Sequence, residues 1–233
     1  DQIDLFATRS GWEKGSLYAA IIGGTNELGH GQIDAGSFVY HNLGKVWLID
    51  LGTEEYNCEG FWPAATRYRF YVMKPEGINT LALSSDPAQT PYGQLLSGIA
   101  DAKEWGSNDH GSYVVYDMTD TMRIRASKWE RGMMLTNDRQ TTIIQDQLTF
   151  NSMQTVYWFA HYSFSYVQNV QISKDGRTAY MYSYNGKDDR GRELYDVLRL
   201  SIVSAKTNYK FEIMDTYTFV HNSADFIAKG VVD

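Results

Sequence analysis

Proton-transfer and hydrogen-bonding side chains are densest between residues 29 and 56. The run reads Gly29-His30-Gly31-Gln32-Ile33-Asp34-Ala35-Gly36-Ser37-Phe38, then Trp47-Leu48-Ile49-Asp50-Leu51-Gly52, then Tyr56. Imidazole is the side chain best able to take up and return a proton near neutral pH, which makes His30 the first candidate for acid–base work. Tyr56 and Tyr68 are further candidate proton carriers. The glycines permit unusual backbone angles and close approach of a ligand to the main chain. Polar residues on loops held by a rigid sheet are where function concentrates. Asp34 and Asp50 read as loop-holding carboxylates. A plainer role stays open for His30 and Asp34, that of hydrogen-bonding the loop and nothing more.

Binding candidates lie a little further on. Arg67 and Arg69, with Lys74 nearby, could grip a carboxylate or sulfate in two-point fashion; solvated strand charges are the alternative. Trp62 could stack on a sugar ring or pack a loop. The chain carries 17 tyrosines, so sheet packing competes with chemistry for Tyr56 and Tyr68. His161, between Ala160 and Tyr162, reads as a strand histidine. His41, His110 and His221 belong to no constellation. Gly23-Gly24-Thr25-Asn26 lacks the strand–loop–helix setting of a phosphate cradle.

The elements that must position these residues are strands. Short apolar or alternating runs separated by turn residues recur along the chain: Leu17–Ile22, Ser37–His41, Lys45–Asp50, Tyr68–Met73, Thr80–Leu83, Tyr113–Asp117, Lys128–Leu135, Thr141–Phe150, Thr155–His161, Tyr166–Ile172, Thr178–Tyr184, Val197–Val203 and Tyr209–Phe219. Asn42-Leu43-Gly44 reads as a hairpin turn. Residues 1–16 read as the approach to a first strand. Only Gln94–Trp105 has helical spacing, with Leu95, Leu96, Ile99 and Ala102 on one face. The expected fold is all-β, a large antiparallel sandwich of roughly a dozen strands with one short helix, and residues 1–233 form a single domain.

Composition narrows the function classes. The formal charge is −7, which disfavours general attraction to nucleic acid or an anionic membrane. It leaves room for a local basic site, because charges further apart than ~8 Å are screened at physiological salt. No apolar run approaches the ~18 residues of a membrane helix. Cys58 is the sole cysteine, so no internal disulfide forms. The start at Asp1 is read as that of a processed chain or an excised part of a longer protein.

The 30–56 stretch resembles the β-sandwich part of the heparinase II/III-like polysaccharide lyases. That family's pattern is H-x-H-x-D-A-G-S-F, then W-x-x-D-x-G, then a tyrosine, then H-N-T-L. The matching residues are His30 to Phe38, Trp47 to Gly52, Tyr56, and Ile78-Asn79-Thr80-Leu81. Trp129-Glu130-Arg131-Gly132, Ile143-Ile144-Gln145-Asp146 and Val156-Tyr157-Trp158-Phe159 are similar to later strands of the same domain. The resemblance is good over residues 9–83 and continues more weakly to about residue 217. It implies a longer protein with an N-terminal helical toroid, a cleft between toroid and sandwich, and β-elimination on a uronic-acid-containing polysaccharide such as a glycosaminoglycan. His30 matches the active-site histidine on the sandwich side. Gln32, Trp62, Arg67 and Arg69 would bind substrate, and the location would be secreted or periplasmic in a bacterium.

The departures from the pattern bear on cofactors. Several family members hold zinc at positions that here are Gln32, Asp50 and Ile78. Zinc takes imidazole, thiolate or carboxylate ligands; isoleucine has no donor and a single carboxylate holds zinc weakly. No metal or other cofactor is therefore expected, with Gln32 hydrogen-bonding Asp50 in place of a metal crosslink. An alternative on the same fold is a non-catalytic carbohydrate-binding or interaction module.

Overall fold

The computed structural model describes residues 2–68, 70–84, 93–203, 209–215 and 225–232. Among them are fifteen strands. In chain order the first eight are β1 (Ile3–Arg9), β2 (Tyr18–Thr25), β3 (Phe38–Asn42), β4 (Lys45–Leu48), β5 (Leu81–Ser84), β6 (Ile99–Asn108), β7 (Gly111–Asp117) and β8 (Ala126–Thr136). The rest are β9 (Thr142–Phe150), β10 (Thr155–Ser163), β11 (Asn169–Ile172), β12 (Thr178–Lys187), β13 (Glu193–Ser201), β14 (Lys210–Asp215) and β15 (Asp225–Val232). One sheet runs β4-β3-β2-β6-β7-β8-β9, with β1 also paired to β2. A second runs β14-β15-β10-β5 and a third β11-β12-β13. Every pairing is antiparallel. The all-β antiparallel sandwich expected from the sequence is what the chain forms.

The larger sheet and the two smaller ones share one apolar core. Trp47, Tyr116, Trp129, Met133 and Leu135 from the first meet Leu81, Leu83, Val156, Ala160, Ala179, Met181 and Phe211 from the others. β8 shows how the pattern does this. Its residues alternate inward and outward, and an irregularity between Ala126 and Lys128 resets the phase so that Ala126 and Trp129 both face inward. β10 is buried on both faces. Tyr157 and Phe159 leave the main core and form a second cluster with Ala82. The β3–β4 hairpin forms as expected, with Leu43 at φ 55° and Gly44 at φ 71°, the left-handed pair required by a two-residue turn.

Three local expectations fail. Gln94–Trp105 is not a helix: it turns at Gly98, whose amide bonds the Leu95 carbonyl, and continues as β6. A Cβ at Gly98 would lie 2.5 Å from Thr121 Cα, so the chain there is pressed against its neighbour and cannot wind. Tyr68–Met73 is not a strand either. It is a run of tight turns, Tyr71–Met73 and Pro75–Gly77, following the one-turn helix α1 (Ala64–Arg67). A Cβ at Gly77 would meet the Tyr71 carbonyl oxygen at 2.2 Å. Residues 3–9, read as an approach, are a full strand paired along its length with β2.

Candidate functional site

The loop joining β2 to β3 carries His30, Gln32 and Asp34, and buried polar side chains hold it from beneath. Asn26 accepts the Ala35 amide at 3.0 Å and donates to Gln94 Oε1 at 3.0 Å. Gln94 returns a bond to the Ala35 carbonyl at 2.6 Å and another to Thr80 Oγ1 at 3.1 Å. Arg131, fully buried, makes a two-point ion pair with Asp146 at 2.7 and 2.9 Å and donates to the Gly36 carbonyl at 2.9 Å. Trp129 Nε1 also donates to Asp146, at 2.7 Å. Gly36 sits at φ 76° with Met118 Cε 2.9 Å from where a Cβ would be. Only glycine fits there, and its absent side chain lets the guanidinium reach its carbonyl.

Asn79 joins three segments. Its amide nitrogen donates to Phe38 O at 2.7 Å and Ile49 O at 2.8 Å, and its oxygen accepts the His161 amide at 2.7 Å and faces His161 Nδ1 at 3.0 Å. His161 Nε2 lies 3.0 Å from the Glu76 carbonyl and 3.3 Å from the Tyr71 hydroxyl. Burial pushes the His161 imidazole down to about 3, so it stands as a neutral structural histidine. Tyr157, Phe159 and His161 stack in one column with successive centroids 6.3 Å apart.

Above this frame the structure gathers most of the sequence candidates. His30 is exposed, its ring centroid 5.1 Å from Trp62 and 6.3 Å from Tyr56 in edge-on contacts. Tyr56 and Trp62 are 5.1 Å apart, and the indole N–H donates to the Tyr56 carbonyl at 2.8 Å. Phe61 is buried under both. Arg67, only 5% exposed, donates to the Gly29 carbonyl at 2.8 Å. Its Cζ lies 5.1 Å from the Phe61 ring centre, 5.8 Å from Trp62 and 5.9 Å from Tyr68. Among the described residues no carboxylate pairs with Arg67, and its Nε has no hydrogen-bond partner. Tyr68 is half-buried against Phe61, Val72 and Met73. Arg69 lies outside the described residues.

Gln32 behaves differently from expectation. Its amide nitrogen donates to Gly52 O at 2.5 Å and Val72 O at 2.7 Å, tying two loops, and no bond to Asp50 accompanies these. Asp50 instead accepts the Gly52 amide at 2.6 Å. Burial and then repulsion from Asp50 push the Asp34 carboxyl up to about 7, and burial raises Asp50 as well. The residues at the family's zinc positions do not suit the ion. Ile78 is 2% exposed and has no donor, and the Gln32 side chain is already engaged by two carbonyls.

The sequence reading missed the buried supports Asn26, Gln94, Asn79 and the Arg131–Asp146 pair. One signal for the last was available. Arg131 occupies the inward phase of Trp129-x-Arg131-x-Met133-x-Leu135, and a buried arginine requires a carboxylate opposite. Asp146 is its register partner on β9.

No known family model matches the chain, and no curated protein sequence does. Solved structures do. The heparan sulfate lyase HepC from Pedobacter heparinus superposes with TM-score 0.73 at 13% identity, over 98% of this chain and 32% of that one. A heparinase III gene product gives TM-score 0.72 at 15% identity, again over 98% and 32%. Another heparinase III gives 0.55 at 13% identity, over 100% and 35%. The chain spans about a third of the length of these structures. At such identities the likeness is one of fold, and by its fold this chain corresponds to a domain of the heparinase III and heparan sulfate lyase structures.

Proposed function

We propose that this chain is the β-sandwich domain of a polysaccharide lyase that cleaves a uronic-acid-containing polysaccharide by β-elimination, and that His30, Tyr56, Trp62 and Arg67 form its wall of the cleft. The observation that carries the reading is the exposed His30 ring packed on Trp62 beside a buried, unpaired Arg67. The reaction makes three demands. The proton on the carbon next to the carboxylate must leave, the carboxylate must be neutralised so that the carbanion-like transition state is accessible, and the departing glycosidic oxygen must gain a proton. Arg67 places positive charge just under the surface, where the lower dielectric strengthens attraction for an anion. Trp62 offers a ring to the sugar face. His30 is placed to donate to the carboxylate or to relay a proton, with the Tyr56 hydroxyl as the second proton carrier. Tyr68 supports Arg67 by packing. The remaining catalytic groups come from an N-terminal toroid domain of the same protein, and an acidic polysaccharide outside the cell or in the periplasm is the substrate. No described helix is long and apolar enough to cross a membrane.

The domain works without zinc at this site. Elemental analysis of the purified chain should find zinc well below one ion per chain, whereas a stoichiometric ion would overturn the reading of Gln32 and Ile78. Those same two departures favour a second reading, a carbohydrate-binding module without catalysis. Ultraviolet absorbance of unsaturated uronate separates the two when the parent protein is given heparan sulfate, chondroitin, hyaluronan and alginate. Product from one of them supports the lyase. No product, with glycan binding retained by the chain, supports the module.

A further inference from the structure

The outer face of the β11–β12–β13 sheet is built unlike a solvated sheet. Its inner residues Val170, Ile172, Leu198 and Leu200 pack on the main core. The opposite phase of β12 carries Tyr180, Tyr182 and Tyr184 at successive outward positions. Across the register these meet Arg199, Val197 and Tyr195 of β13. Tyr182 and Tyr184 lie 6.4 and 5.9 Å from Tyr195, each edge-on to it. Tyr184 is 45% exposed and Tyr195 42%. On the other side, Asn169 and Gln171 of β11 stand opposite Tyr182 and Tyr180, with exposed amides. Thus a row of rings is bordered by neutral donors and acceptors along its length.

We propose that this tyrosine face is a second glycan-binding surface, separate from the His30 cleft and on a different sheet, that takes an extended acidic polysaccharide. The face has the chemistry that carbohydrate requires: aromatic rings for the apolar faces of sugars, and amides, hydroxyls and a guanidinium for their hydroxyls and acid groups. Its charge also fits. The chain is acidic overall, with a formal charge of −7, yet the charged side chain central to this face is Arg199, exposed and in no ion pair among the described residues. The outward carboxylate Glu193 lies at the strand end and accepts from the Tyr195 hydroxyl at 2.6 Å. Stacking carries most of the attraction, so binding here tolerates salt better than a basic patch does. The acidic nature of the glycan rests on the function proposed above; the ring platform does not. In the parent enzyme such a face would hold the polymer while the cleft works elsewhere along it.

The test is titration of the chain with size-defined heparan sulfate, read by isothermal calorimetry, on a His30→Ala, Trp62→Ala background that removes the exposed cleft contacts. Tyr184→Ala combined with Tyr195→Ala should weaken binding about tenfold or more, the equivalent of one stacked ring lost from each site. Tyr195→Phe keeps the ring and should keep the affinity to within about twofold. Unchanged melting of the exposed-site variants shows that folding is intact, and Arg199→Gln gives a milder variant with several-fold weaker binding. Wild-type affinity in the double variant overturns the proposal, as does absence of binding by the starting chain. Sedimentation showing a dimer that the double variant dissolves also overturns it, by assigning the face to a second copy. These outcomes are independent of whether the parent protein releases unsaturated product.

Discussion

Arg131→Leu should destabilise the chain by about 3–5 kcal/mol, among the largest effects of any single substitution here. The leucine leaves Asp146 half-buried without its counter-charge and strips the Gly36 carbonyl of its donor. For a chain of this length that corresponds to a fall in melting temperature of roughly 6–20 °C. The double variant Arg131→Leu with Asp146→Leu should recover only part of the loss. Replacing a buried ion pair by apolar groups is often neutral, but Trp129 Nε1 and the Gly36 carbonyl stay without partners. Urea denaturation of the three proteins measures this. A single-variant loss under ~1 kcal/mol would contradict the picture of Arg131 as the clamp of the His30 loop.

The second large effect is acid sensitivity centred on His161. Burial lowers its imidazole from the usual 6.5 to about 3. A group whose folded value is depressed contributes stability that is fully present above its unfolded value and is lost as pH falls towards the folded one. Stability from this source should therefore be constant above about pH 7 and decline between 6.5 and 3. At ~1.4 kcal/mol per unit the full span corresponds to roughly 5 kcal/mol. Asn79 Oδ1 faces Nδ1, and the Glu76 carbonyl, which also accepts the Tyr71 hydroxyl, faces Nε2. His161→Phe forfeits those bonds, for a loss of about 1–3 kcal/mol at pH 7, but it cannot be protonated. Its deficit relative to the unmodified chain should narrow and then reverse on going from pH 7 to pH 4. A deficit that stays constant over that range would show that His161 does not titrate as the burial argument requires.

The architecture was legible because antiparallel strands with one buried face write their period into the sequence. Thr178–Tyr184 and Lys128–Leu135 announced β12 and β8 within a few residues. The Asn42-Leu43-Gly44 turn was legible from turn chemistry alone. Failures came where tertiary packing overrides local period. Tyr68-to-Met73 alternates like a strand, but Pro75 and the crowded Gly77 fold it into turns. Gln94–Trp105 mimics a helix because the turn from Leu95 to Gly98 and the start of the half-solvated β6 happen to place Leu95, Ile99 and Ala102 at helical spacing, while Gln94 is drawn inward to Ala35 and Thr80. The site was partly legible. Exposed His30 on the loop before β3 and its aromatic neighbours Tyr56 and Trp62 after β4 lie close in sequence, so types and spacing sufficed to single them out as candidates. Asn26 and Asn79 could not be found that way, because polar residues that serve buried carbonyls look like any turn asparagine until the fold brings distant segments to them. Gln32 was expected to bond Asp50, yet its partners Gly52 and Val72 are backbone groups that no residue type reveals.

The cleft wall proposed here centres on His30. The decisive measurement is the rate of unsaturated-uronate formation by the parent protein and by its His30→Ala form, on whichever acidic polysaccharide the parent cleaves, with thermal unfolding followed in parallel. The exposed ring has no buried hydrogen-bond role among the described residues. The expected result is therefore a fall in kcat of about 10²–10⁴-fold, with melting unchanged to within a few degrees. Turnover preserved within about twofold, or a loss of activity that merely follows a loss of fold, would contradict the assignment of this face to the cleft.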